Sequence, residues 1–113
     1  MKDRYEAARR AGDDQVVTFV AEDETRRRLD PAPSRAIWNL SPSGFECGTG
    51  RGAAQLALAI LLDRTGDSGL AARAYQMFKL DGEAGFGDRW LLWAEDVDRW
   101  IAEWKAKRIA VAR

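Results

Sequence analysis

Three glycines fall within five residues at Gly48-Thr49-Gly50-Arg51-Gly52, just before an apolar stretch of strong helix formers. A helix N-terminus presents free N–H groups and partial positive charge, and glycine lets a ligand approach the backbone. Arg51 adds a cation suited to a phosphate or carboxylate. The run is not a P-loop, because the Gly-Lys-Ser/Thr ending is missing. Nor is it a dinucleotide fingerprint, because the spacing and the βαβ frame are missing. Two readings stay open: a tight strand-to-helix crossing, which is the simpler, or a site for an anion or partner. Glu46 and Gln55 flank the loop. Glu46 is placed to accept the loop's own N–H groups and brace it, and Gln55 reads as an internal hydrogen-bond partner. Both are expected to be structural.

The remaining chemistry is sparse. There is no His, so imidazole is absent both as base and as metal ligand. One cysteine, Cys47, forms neither an intramolecular disulfide nor a thiolate cluster, and it lacks a histidine to activate it. No catalytic set assembles, so a non-enzymatic protein with no cofactor and no metal is expected. A pair of carboxylates meeting in space, and Cys47 activated by a lysine or a helix N-terminus, are the catalytic arrangements left open. Arg26-Arg27-Arg28 could touch phosphates, but Glu22, Asp23 and Glu24 precede it, so a solvated turn or a protein-binding rim is expected. Lys plus Arg and Asp plus Glu both number 18, for zero net charge. A general nucleic-acid binder needs surplus basic charge to release counterions, so nucleic acid is the less favoured partner. Of five tryptophans, Trp100 and Trp104 lie one helical turn apart and are expected in the core. Trp90 and Trp93, three apart on a strand, point to opposite faces. Trp93 is the candidate for an exposed interface residue.

These residues need elements to hold them. Gln15 to Ala21 is β-branched and aromatic, and reads as a strand. Residues 22–35 carry seven charges in their first nine positions and then Asp30-Pro31-Ala32-Pro33. They read as a connection without regular structure. Arg35 to Leu40 and Phe45 to Cys47 are strand candidates. Ala53 to Arg64 reads as a helix apolar on all sides and therefore central, closed by Gly66. Asp67 or Ser68 caps a helix over Gly69–Leu80 with Leu70, Ala74, Met77 and Phe78 inward. Arg89 to Trp93 reads as a late strand that rejoins the sheet. Val97, Trp100, Ile101 and Trp104 mark an amphipathic helix over Ala94–Lys107. Residues 1–14 stay open between a helical turn, a short edge strand and a frayed end. The expectation is one α+β domain over residues 1–113, a small antiparallel sheet packed by about three helices.

Gly44-Phe45-Glu46, Ala54-Gln55-Leu56-Ala57-Leu58-Ala59, Gly66-Asp67, Tyr75-Gln76-Met77-Phe78-Lys79 and Trp100-Ile101 together resemble an uncharacterised domain family of phages, plasmids and their hosts. The resemblance covers about residues 40–104. Cys47 departs from it where an aromatic is usual, so a packing role is the expected one for Cys47, and Ala53 departs where proline is common. The family carries no known activity. The resemblance implies a small accessory protein of a mobile element. The expectation is that it acts by binding another protein, with a host defence or regulatory protein as target by analogy with that context. An anion- or nucleotide-binding domain at Gly48–Gly52 is the alternative, and a modest nucleic-acid binder a second. The expected protein contacts are Arg51 with its glycine loop, Trp93 and Arg26–Arg28. The longest apolar run, Leu56 to Leu62, is far below the ~20 residues a membrane span needs. No apolar leader is seen, so a cytoplasmic protein is expected.

Overall fold

The computed structural model describes residues 2–9, 15–40, 45, 51–83 and 89–112. Strands β1 (Arg4–Arg9), β2 (Gln15–Val20), β3 (Arg26–Arg28) and β4 (Arg89–Trp93) form an antiparallel sheet in the order β3-β2-β1-β4. The helices are α1 (Ala32–Ile37), α2 (Arg51–Thr65), α3 (Ser68–Phe78) and α4 (Ala94–Ala112), with a π-helical turn at Lys79–Glu83. The class is α+β with one core, and the described helices number four. The N-terminal strand β1 lies inside the sheet rather than at its edge, between β2 and the late strand β4. The Ala94 amide also donates to the Asp3 carbonyl, so the two ends of the fold are stitched together.

Register sorts every strand residue onto one of two faces. Tyr5 pairs with Phe19 and Leu92, and Ala7 with Val17 and Trp90. These residues form the covered face and belong to the core or pack against it. Helix α2 is the centre of that core, with Ala53 through Leu61 all buried. Tyr5 anchors the sheet to α2 by donating its hydroxyl to Asp63 Oδ2 at 2.5 Å, and its ring meets Phe19 edge-on. Burial, and then this bond, raise the Tyr5 pKa far above its usual value.

Three expectations are corrected. Residues 22–35 contain β3 and the start of α1, not a bare connection. The segment Arg35–Leu40, expected as a strand, is the end of α1 and its exit. Pro31 and Pro33 do not prevent a helix because they sit at its first turn, where a missing N–H costs nothing and the fixed φ suits the helix. The apolar Ile37 packs against the core while Trp38 is 51% exposed. In α3, Leu70, Ala71, Ala74 and Phe78 are buried, but Met77 is 53% exposed. Asp67 caps α3 by accepting from the Leu70 amide. Gly66 adopts φ +64°, the left-handed conformation that closes α2.

Candidate functional site

Among the described residues, the other face of the sheet contributes nothing to the hydrophobic core cluster. Arg26–Val20–Arg4–Trp93 form one cross-strand row, and Arg28–Thr18–Glu6–Leu91 the next. Val16, Ala8 and Arg89 complete a third. None of these residues belongs to the core cluster among the described residues, although Val20 and Arg4 in the first row are buried. Above them lies a broad, solvent-open concavity of about 610 Å³, lined by Glu6, Val16, Thr18, Arg26, Arg89 and Leu91 together with Ala7 and Trp90. Leu91 is 41% exposed within it. A bulky apolar side chain in a charged, uncovered concavity is a pattern of interaction surfaces.

A chain of alternating charge stiffens this face. Arg4, only 3% exposed, donates from Nε to Glu6 Oε1 and from Nη2 to Glu24 Oε2, both at 3.0 Å, and from Nη1 to the Lys2 carbonyl. The other Glu6 oxygen accepts from Arg26 Nη1 at 3.2 Å. The bond from Arg4, followed by attraction to Arg4 and Arg26, holds the Glu6 carboxyl below its ordinary pKa against the effect of partial burial. Glu24 sits at φ +70° in the turn between β2 and β3, a strained position for a side-chain-bearing residue. Its amide donates to the Ala21 carbonyl, and its carboxylate grips Arg4. The charges of Glu24, Arg4, Glu6 and Arg26 cancel. The Arg28 and Arg89 side chains, both exposed, have no hydrogen bond or ion pair to another described residue. Among the described residues, the face therefore carries surplus positive charge at both edges.

The arginine run divides by strand parity. Arg26 and Arg28 project to the open face. Arg27 projects to the covered face, where it donates to Asp63 Oδ2 at 2.9 Å and lies over the Phe19 ring at 4.5 Å. Trp93 is on the open face, half-buried, while Trp90 packs toward the core. Gly48, Thr49, Gly50 and Glu46 lie outside the described residues, as does Cys47. Arg51 and Gly52 begin α2, the helix that packs the covered side, so they do not share an element or a face with Trp93 and Arg28. Gln55 is fully buried. It donates to Ser34 Oγ at 2.8 Å and accepts from the Leu40 amide at 2.9 Å, tying α1 and its exit to α2. Trp100 and Trp104 pack against the core, stacked with ring centroids 6.5 Å apart, and Trp100 donates to Asp81.

Arg89, Leu91, Thr18 and Glu6 were not singled out by residue type. The signal present in the chain is the alternation of Arg89-Trp90-Leu91-Leu92-Trp93, which puts Arg89, Leu91 and Trp93 together. Only the packing of α2 with the opposite face shows that this face is the open one. Among the described residues no group of three or more His, Cys, Asp or Glu side chains could hold a metal, and no helix is long and apolar enough to cross a membrane. One protein family, described as a family of unknown function (DUF6166), matches residues 5–103. No curated protein and no solved structure matches the chain.

Proposed function

The chain belongs to DUF6166, a family of unknown function, and we propose that it is a binding module whose open sheet face receives another protein. The observation that carries this reading is the uncovered face itself. A four-stranded sheet normally buries one side and solvates the other with polar residues. Here the second side holds exposed Leu91 and half-buried Val16 and Trp93 inside a rigid frame of paired charges. Such a mixture of apolar centre and charged rim is how protein interfaces are composed. The Gly-Phe-Glu and Ala-Gln-Leu-Ala-Leu-Ala motifs add context: a non-enzymatic accessory protein of a mobile genetic element, working in the host cytoplasm on a host defence or regulatory protein.

The test is affinity capture of the tagged chain from host lysate, quantified by mass spectrometry, with Leu91→Asp and Arg51→Glu alongside. Leu91 is already partly exposed, so Leu91→Asp should leave the fold intact. Losing a buried leucine contact and introducing a carboxylate should weaken a partner about tenfold or more. A stoichiometric protein held by the wild type and by Arg51→Glu, and lost by Leu91→Asp, is the expected result. A partner lost by Arg51→Glu and retained by Leu91→Asp would move the site to the glycine loop. No difference from an empty-tag control would overturn the protein-binding reading.

A further inference from the structure

We propose that the occupant of the open face is an acidic polypeptide segment in extended form, with carboxylates at i and i+4 and an apolar side chain between them; this rests on the protein-binding reading above. Charge complementarity carries the argument. The acidic groups on this face, Glu6 and Glu24, are taken by Arg4 and Arg26. The cations without a described partner are Arg28 on β3 and Arg89 on β4, at opposite edges of the sheet. An anionic partner meets these two guanidiniums at little desolvation cost to an existing pair, whereas a basic partner would face them unneutralised.

Geometry sets the spacing. Arg28 and Arg89 are three strands and two residues apart in register, roughly 15 Å between Cα atoms at standard strand spacing and rise. An extended chain places side chains of the same side about 6.8 Å apart, so residues i and i+4 span about 13.6 Å. The middle same-side residue, i+2, falls over Val16 and Thr18 and beside Leu91, where an apolar side chain is accommodated. A carboxylate at that place would meet Glu6. The charge-neutral centre between the two edge arginines also disfavours a polyphosphate chain, which would run its charge across the whole face.

The probe is a fluorescein-labelled heptapeptide, Gly-Glu-Ser-Leu-Ser-Glu-Gly, titrated with the full chain and read by fluorescence polarisation and by amide NMR shifts. The Lys-for-Glu peptide and a thymidine decamer serve as comparators. Expected are saturable binding of the acidic peptide in 50 mM NaCl, amide shifts at Thr18 and Leu91, and a severalfold weakening in 300 mM NaCl. Arg28→Glu combined with Arg89→Glu should weaken it at least tenfold with an unchanged melting temperature. No saturable binding of the acidic peptide overturns the proposal. So does equal or tighter binding of the basic peptide or of the decamer, and so does insensitivity to the double reversal. In the lysate capture, a partner that depends on Leu91 but not on the two arginines removes the acidic-segment proposal and leaves the open face as the binding site. A partner that ignores Leu91 removes both.

Discussion

Arg27→Ala and Arg28→Ala, neighbours in one run of three identical residues, should differ sharply in their effect on stability. Arg27 donates to Asp63 Oδ2 at 2.9 Å and covers the Phe19 ring at 4.5 Å. A charge-assisted hydrogen bond contributes about 1.5–3 kcal/mol when sheltered, and an exposed cation–π contact about 0.5–1 kcal/mol. The Arg27 side chain is 52% exposed, so solvent screening places the combined loss near the low end, about 1–2 kcal/mol. With ~2.1 cal/mol/K of unfolding entropy per residue, 1 kcal/mol in a chain of this size corresponds to about 4 °C. Arg27→Ala should therefore lower Tm by about 4–8 °C. Arg28, exposed and without a described partner, should shift it by less than about 2 °C. Thermal unfolding followed by circular dichroism, with urea midpoints as a second reading, distinguishes the two. Equal shifts for both variants would refute the division of the run between the two faces, and would return all three arginines to a solvated rim.

Gln55→Leu keeps the side-chain volume but removes the acceptor for the Leu40 amide and a donor to Ser34, at about 2–4 kcal/mol; a urea midpoint near wild type would show that these groups find other partners. Gly66→Ala should cost about 1 kcal/mol, all of it from the backbone, because an added Cβ meets nothing within 4 Å while φ is +64°. Gly66→Asn should cost less in the same calorimetric measurement. The Glu6 carboxyl lies below its ordinary value of 4.5 in the folded chain. Its contribution is therefore fully present above that ordinary value and is lost as pH falls through the lower folded one. Glu6→Gln should flatten the fall of Tm with pH below about 4.5; an unchanged acid limb of the Tm–pH profile would mean that the Arg4–Glu6 bond contributes nothing.

Much of the fold was legible because local signals agreed with tertiary demand. The Val-Val-Thr-Phe-Val run of β2, the continuous apolar surface of α2 and the spacing of Val97 and Ile101 each bury what their period says should be buried, and Asp67 caps α3 as its residue type suggests. Legibility failed where the decisive contact was distant. Nothing local marks Arg26–Arg28 as a strand: three charged residues become β3 only because β2 offers its edge. Tyr5-Glu6-Ala7 is as compatible with a helical turn as with a strand until β4, more than eighty residues on, pairs with it. The segment Arg35–Leu40 reads as a strand by composition. Its first three residues end α1 instead, and Ser34 and Leu40 on either side close onto buried Gln55.

The candidate site follows the same division. Residue types alone determined that the chain has no imidazole, no intramolecular disulfide and no thiolate cluster, that charge is balanced, and that Trp90 and Trp93 must point apart on a strand. Those are consequences of composition and of the two-residue period of a strand, and no folding is needed to state them. Which of the two faces stays open was decided only by tertiary structure. Parity assigns residues to faces but is blind to what covers them, and α2 settles that: its Asp63 takes the Tyr5 hydroxyl, and its buried residues share one core cluster with Tyr5, Ala7 and Val17. That one packing choice turns Arg27 into a strut on Asp63, leaves Arg28 and Arg89 facing water across the sheet, and gathers Glu6, Thr18 and Leu91 from three strands into one concavity.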